Sequence, residues 1–340
     1  MEKNEIVVTG IRPTGKLHLG NYFGAIADLL NLQEKYPCYV FVADLHALTA
    51  LDQKECKNLS SYIRDVVLGY LAAGLDPKKC TLFVQSSIPE VSELFTLLMN
   101  FVMVPRLQRL PAYKDKSKGR SNNNLELLAY PALMAADIFA QKGTIVPLGY
   151  DQLPHLEFVR ELAGRFNSKF GSTFPRPRTL KGRKDVAKVP GLKGTDAKMS
   201  KSDGPMYVIY LTDSPAEVKA KIRGAVTNDL GIRNLFELMD LVSTSATKKR
   251  FKAAYKNGVL SNEQMKNKLA ADISAFLKPL QSRRAIFEKD YELVEKALME
   301  GAKRARENAA NTLKEVKSKM NLFGISQHSI EQDVLVSSSS

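Results

Sequence analysis

Residues 6–26 read I-V-V-T-G-I-R-P-T-G-K-L-H-L-G-N-Y-F-G-A-I, and the fold is decided there. Ile6, Val7 and Val8 form a short apolar run of the kind a buried strand uses. Thr9-Gly10 ends the run, and Pro13 and Gly15 break regular structure. Phe23, Ile26, Leu29 and Leu30 then recur at helical spacing. The order is strand, Gly/Pro turn, helix. His18, Gly20 and Asn21 fall at the start of the helix. Such a start offers backbone N–H groups and the positive end of a dipole, which suits a phosphate. His18 and Asn21 add donors. Gly20, with no Cβ, lets a ligand approach the backbone.

Gly10 to Lys16 also fits G-x-x-x-x-G-K, the phosphate loop of many ATPases. Leu17 follows where that loop places a magnesium-binding hydroxyl, and Pro13 removes one N–H from a loop that works through its N–H groups. The phosphate-loop reading is therefore set aside. A second signal lies far downstream, K-M-S-K-S at 198–202. Two lysines three apart with small hydroxyls can close on a polyphosphate and stabilise departing negative charge. Taken alone, that pentamer reads as a solvated surface loop.

The rest of the chain continues the alternation. C-Y-V-F-V-A at 38–43 reads as a second strand with Asp44 and His46 at its end, where open parallel sheets place ligands. Residues 55–74 make an amphipathic helix, 81–84 a third strand, and Pro89 opens a helix to about Val104. Residues 106–120 carry six cations against Asp115 and lead into Ser121-Asn-Asn-Asn124, with no periodicity. They read as a mobile loop, as a basic surface for phosphates or an RNA end, or as both. Leu125 to Ala140 reads as a helix interrupted by Pro131, with Asp137 in apolar surroundings where a carboxylate needs a donor. Residues 144–148 read as a fourth strand ending in Gly149-Tyr150-Asp151-Gln152. His155, one turn into the next helix, reads as structural, and 173–193 as a linker. This pattern predicts an α/β fold with a doubly wound parallel sheet. Beyond Pro215 the patterns are helical only, over 215–226, 233–248, 261–281, 282–300 and 300–321.

Composition limits the function classes. In 340 residues, 44% are hydrophobic and 25% charged, ordinary for a globular protein with room for two domains. No apolar run approaches a membrane span and no signal-peptide pattern opens the chain, so a cytoplasmic protein without membrane partners is expected. Cys38, Cys56 and Cys80 are scattered, which argues against a disulfide framework or a zinc site. The net charge of +14 is compatible with a polyanionic partner or with a merely basic protein.

H-L-G-N at 18–21 together with K-M-S-K-S at 198–202 resembles the signature pair of the class I aminoacyl-tRNA synthetases. G-I-R-P-T-G-K-L-H-L-G-N-Y from 10, A-D-L-H-A-L-T from 43, Y-P-A-L-M-A-A-D-I from 130 and V-P-L-G-Y-D-Q-L-P-H from 146 narrow the likeness to the tryptophanyl-tRNA synthetases. Weaker similarity runs to about residue 323 and includes E-G-A-K-R-A-R from 300.

The resemblance implies a Rossmann-like catalytic domain over 1–205 that includes the K-M-S-K-S loop. It implies an all-α anticodon-binding domain over 206–323, whose last helix packs back on the first domain. A disordered tail is expected over 324–340. The implied reaction joins L-tryptophan to ATP as tryptophanyl-adenylate, releases pyrophosphate, and passes the acyl group to the 3′ end of tRNA(Trp). By resemblance, His18, Asn21, Lys198 and Lys201 are catalytic. Arg12, Pro13, Thr14, Gly20, Asn21, Gly149, Tyr150, Asp151, Val189, Lys198, Met199, Ser200, Lys201 and Ser202 line the ATP site. Asp137 accepts from the indole N–H, and His46, Tyr130, Met134 and Gln152 complete the tryptophan pocket. Magnesium is expected with ATP, without a dedicated protein cage, and a homodimer is expected.

The chain departs from that family at Tyr150, where an acid is normal, at Arg12, where many members have Gln, and at Val8, where an aromatic often covers the indole. Three rivals stay open: tyrosine specificity, a small-molecule nucleotidyltransferase, and a catalytically silent RNA-binding paralogue. The M-A-A-D-I and G-x-D-Q blocks weigh against the first, the basic helical region against the second, and both intact signatures against the third.

Overall fold

The computed structural model describes residues 5–117, 124–180 and 189–322; the side chains of Lys116 and Tyr150 lie outside that description. Strands β1 (Val7–Ile11), β2 (Cys38–Val42) and β3 (Cys80–Val84) form a parallel sheet in the order β1-β2-β3. Val7 pairs with Cys38 and Cys38 with Cys80, so the strands start level. On the other side of β1, Ile145 forms a parallel bridge with Val7, and Arg178 one with Ile145. The expected fourth strand at 144–148 is thus present as bridges at Ile145 alone among the described residues, held on the β1 side by Val8 N to Ile145 O and Ile145 N to Ile6 O, both 2.9 Å.

Side chains alternate across a pleated strand, and both faces of this sheet are covered. Val7, Val40, Val42 and Leu82 enter one apolar cluster. Val8, Phe41 and Phe83 enter the other. The first cluster continues through Leu17, Ile26, Met199 and Val208 into Leu269 and Ile273 of the Asn262–Lys289 helix. The second holds Ile138 and Phe139 of the Leu125–Ala140 helix with Ala305 and Ala309 of the Tyr291–Lys319 helix. That last helix lies on β3 so closely that a Cβ on Gly301 would stand 1.8 Å from Leu82 O. Arg304 Nη2 donates to Cys80 O at 3.3 Å, covering a strand that has no strand neighbour on its outer side among the described residues.

Three expectations need correction. Residues 106–117 are not a plain loop: Val104–Gln108 and Pro111–Ser117 are helical, each with proline in its first turn, where the missing N–H costs nothing. Residues 118–123, which carry the rest of that basic stretch, lie outside the described residues. The Leu125–Ala140 helix runs through Pro131 without a break. The helices expected at 261–281 and 282–300 are one helix, Asn262–Lys289, containing Pro279, followed by Tyr291–Lys319. The tail expected at 324–340 lies outside the described residues. Among the described residues no helix is long and apolar enough to cross a membrane.

Candidate active site

The turn after β1 is fixed from two sides. Asn21 and Tyr22 donate their backbone N–H groups to His18 O at 2.9 and 3.1 Å, which starts the helix. His18 N donates to Asn21 Oδ1 at 3.0 Å, so that the Asn21 carboxamide keeps its Nδ2 donor for a ligand. The helix begins as Leu19–Asn21, widens to π geometry over Tyr22–Ile26 and resumes over Ala27–Leu32. Such π segments often sit at functional sites. On one side, Gly69 of the Leu59–Ala73 helix lets Leu17 pack against it; a Cβ there would lie 2.4 Å from Leu17 Cδ1. On the other, Leu19 N donates to Ile209 O at 3.0 Å and Leu211 N to Leu17 O at 2.9 Å. His18 and Tyr210 form the bridge between these two segments.

The segment 209–211 follows the K-M-S-K-S loop, so the two sequence signals meet in space. Met199 is buried and its N–H donates to Val189 O at 2.7 Å. Ser200 and Ser202 hydroxyls lie 2.8 Å apart. Lys201 starts a short 3-10 turn, Lys201–Asp203, and its Nζ stands 3.5 Å from where a Cβ on Gly15 would be. Burial and the Arg12 charge lower its pKa to about 8, against the raising pull of Asp65. Lys198 is different: it is 72% exposed, with Nζ 3.8 Å from Asp151 Oδ2. A pair that open to water contributes little to stability.

His18 is neutral near pH 7. Burial, aided by Lys201, lowers its pKa to about 4, and its Nδ1 is buried without a hydrogen-bond partner. A buried polar atom left unpaired is costly, and a ligand atom would relieve it. Gly20 leaves room for a different reason from the one the sequence suggested. A Cβ there would lie 2.8 Å from the His18 ring and 3.7 Å from Met199 Cβ, so the space admits the imidazole. Pro13 is buried, Thr14 N donates to Arg12 O at 3.0 Å, and Arg12 is exposed over this turn.

A second group gathers at the ends of β2 and β3. Asp137, 6% exposed, accepts from Gln85 Nε2 at 2.9 Å on both oxygens and lies 2.9 Å from His46 Nε2. Burial raises its pKa, and His46 and Gln85 work against that rise. The expected indole acceptor therefore already holds two protein partners. The sequence reading missed Gln85, a polar residue one place beyond β3, where only the strand-end rule pointed. Asp44 is buried nearby and accepts from Ser86 N at 3.0 Å. Tyr130 and Met134 lie seven and three residues before Asp137 on one helix, hence on the same face. The Tyr130 hydroxyl lies 2.7 Å from His155 Nε2, and the Arg12 charge acts on Tyr130, which links this group to the phosphate turn.

The third group is the 149–152 turn. A Cβ on Gly149 would lie 2.7 Å from Asp151 Oδ1, the end of an exposed side chain. Gln152 Nε2 donates to Asp151 Oδ2 at 2.7 Å, so this Gln is engaged with its neighbour and not with Asp137. Tyr150 contributes backbone to the 3-10 turn Tyr150–Gln152. Val8, expected near the indole, is buried in the core and would touch a Cβ on Gly143 at 2.6 Å.

Together these groups form a strip along the carboxyl ends of the strands. Cations and helix-start donors stand at one end, and a buried carboxylate with a face of Tyr and Met at the other. A polyphosphate suits the first, and a flat apolar group bearing one N–H suits the second.

Comparison with known proteins identifies the family. Residues 1–278 match the family model described as tRNA synthetases class I (W and Y). The chain is 40% identical over 326 residues to the tryptophan--tRNA ligase of Porphyromonas gingivalis, covering 92% of this chain and 98% of that one. It is 37% identical to the tryptophan--tRNA ligase of Treponema pallidum, over 93% and 96% of the two chains. Its structure is similar to that of tryptophanyl-tRNA synthetase from Campylobacter jejuni complexed with ADP and tryptophan. There the TM-score is 0.82 at 31% identity, over 93% of this chain and 100% of that one.

Proposed function

We infer the chemistry of this chain from the premise that it belongs to the class I tRNA synthetases for tryptophan and tyrosine, and within them to the tryptophan--tRNA ligases. It activates L-tryptophan with ATP, releasing pyrophosphate, and transfers the tryptophanyl group to the 3′ end of its tRNA. The carboxylate of tryptophan attacks the α-phosphorus, the bond to the β-phosphate oxygen breaks, and the electron pair leaves with pyrophosphate. In the second step a ribose hydroxyl of the tRNA attacks the acyl carbon and AMP departs. No enzyme nucleophile is needed. Catalysis rests on positioning and on stabilising charge as it moves to the leaving group.

The observation that carries this reading is the meeting of Gly15, His18 and Lys201 at one helix start. Arg12, Pro13, Thr14, Asn21 and the 198–202 loop bind the triphosphate, and Gly20 lies under the adenosine. Gly149, Tyr150, Asp151 and Val189 border the nucleoside. His18 and Asn21 hold phosphate through N–H donors, and His18 acts neutral. Lys201 stabilises the pyrophosphate leaving group from a half-buried position. Lys198 joins it by exchanging Asp151 for phosphate, at small cost because that pair is exposed. Asp137 accepts from the indole N–H while His46 and Gln85 hold its carboxylate; Tyr130, Met134 and Gln152 form the rest of the pocket.

Magnesium enters on the nucleotide and neutralises phosphate charge, held by phosphate oxygens and water. We assign residues 1–205 to nucleotide and tryptophan binding and 206–323 to tRNA, where the surplus of cations meets a polyanion. The working form is a cytoplasmic homodimer. Charging of tRNA with labelled tryptophan by the full chain tests the reading. Charging with tryptophan and not tyrosine supports it; charging with tyrosine refutes the pocket assignment.

A further inference from the structure

The Asn262–Lys289 helix reaches the phosphate turn through three nearby side chains. Gln281 Nε2 donates to Leu211 O at 3.0 Å and to Asp213 O at 2.9 Å, holding the segment paired with the turn. Arg283 Nε donates to Ala72 O at 2.6 Å. Arg284 Nη2 lies 2.9 Å from Asp65 Oδ1, and both side chains are mostly covered, at 17% and 14% exposure. The other Asp65 oxygen accepts from the backbone N–H of Leu17 at 3.2 Å. Leu17 immediately precedes His18. One carboxylate therefore joins the far helix, the helix beneath the turn, and the turn itself.

Stability alone is a weak reason for this arrangement. A covered ion pair often stabilises no more than apolar side chains of the same volume, because both charges lose water. Apolar packing between the two helices is already present, for instance through Leu269 and Ile273 in the cluster that also holds Val66 and Tyr70. What the carboxylate adds is direction: it fixes one backbone N–H at the edge of the phosphate site.

We propose that Arg284 is a positioning residue for tryptophan activation: through Asp65 it fixes the Leu17–His18 backbone beside Lys201, so the helical region sets the geometry of the phosphate turn. The proposal rests on the reading of this turn and the 198–202 loop as the phosphate site. The charged and titratable groups that act on or with Lys201 are Asp65, Arg12 and His18. Asp65 favours the charged lysine, and Arg284 faces both Asp65 and Glu288, whose Oε1 lies 2.7 Å from its Nε.

The test uses the full chain and the variants Arg284→Gln, Arg284→Lys and Asp65→Asn. Amide hydrogen exchange at Leu17 is measured first, since it needs no activity. Exchange there is expected to quicken about tenfold in Arg284→Gln and Asp65→Asn, the loss of one charge-assisted hydrogen bond, while β1–β3 stay protected. Arg284→Lys is expected to restore most of the protection. In tryptophan-dependent ATP–pyrophosphate exchange, kcat falls about tenfold with KM for tryptophan unchanged. The alkaline limb of the pH profile moves down in Asp65→Asn and up in Arg284→Gln. Unchanged Leu17 exchange in both variants, with only a lowered Tm and an unmoved limb, would show the pair to be a brace and overturn the proposal. If the unmodified chain exchanged no pyrophosphate, the functional reading would fail, and Leu17 exchange would still decide the role of Arg284. Should Arg284→Gln not fold, Asp65→Asn gives the same decision.

Discussion

Lys201 Nζ stands 3.5 Å from the point where Gly15 would carry a Cβ, and Gly15 has φ +110°. The glycine thus meets the demand of a left-handed turn, and the ammonium group lies within ordinary contact distance of that point. Gly15→Ala strains the left-handed backbone by about 1 kcal/mol and shifts the turn that faces Lys201. We expect pyrophosphate exchange to fall about tenfold to hundredfold, since small misplacements of reacting groups cost that much. Tryptophan affinity should stay unchanged. Equal exchange rates in Gly15→Ala and the unmodified chain would contradict this geometry.

The pH dependence follows from the same lysine. Burial brings the Lys201 proton's release down to about 8, against 10.5 for a lysine in water. Activity that depends on the ammonium therefore declines above pH 8 in kcat/KM for ATP. Lys201→Arg, charged throughout, should remove that limb. Because the folded pKa is lowered, the unfolded chain binds more protons between pH 8 and 10.5, and the contribution of this group to stability rises with pH across that window. His18 follows the same sign at lower pH: its contribution is intact above 6.5 and is lost as pH falls toward about 4. Calorimetric Tm across both windows, with Lys201→Met and His18→Asn as controls, checks the signs.

Asp137→Ala leaves the Gln85 and His46 donors without their acceptor and removes the acceptor for the indole. We expect tryptophan affinity to fall about tenfold to hundredfold, the scale of one hydrogen bond to a charged group, with ATP affinity unchanged. The chain contains no tryptophan, so the fluorescence of the added amino acid reports binding without background from another indole. Equal titration curves for both proteins would reduce Asp137 to a core residue.

Gly301→Ala tests the docking of the last helix. The new Cβ would meet Leu82 O at 1.8 Å, and no backbone on β3 can yield by that much. The helix must retreat, with an expected loss of about 2–3 kcal/mol, the range for overpacked cores. A denaturant midpoint unchanged in Gly301→Ala would show that the helix is not seated there.

The sheet and the phosphate turn were legible because their signals are local. An apolar run at 6–8, breakers at 13 and 15 and a helical period from 23 fix strand, turn and helix within one short stretch. Pro131 misled because a helix well packed on its neighbours tolerates a lost hydrogen bond. The basic stretch from 106 misled because the helices in its described part are too short to show a period. Gln85 and Asp65 were invisible for another reason. Their roles come from partners 52 and 48 residues away, Asp137 and Leu17, and no spacing in the chain announces such a meeting.

Selectivity for tryptophan is the central claim, and amino-acid-dependent ATP–pyrophosphate exchange tests it directly. The full chain is assayed with each standard amino acid at one ATP concentration and saturating magnesium. Exchange with tryptophan alone is the predicted result. Exchange with tyrosine instead, or no exchange with any amino acid from folded protein that binds tRNA, would contradict the account.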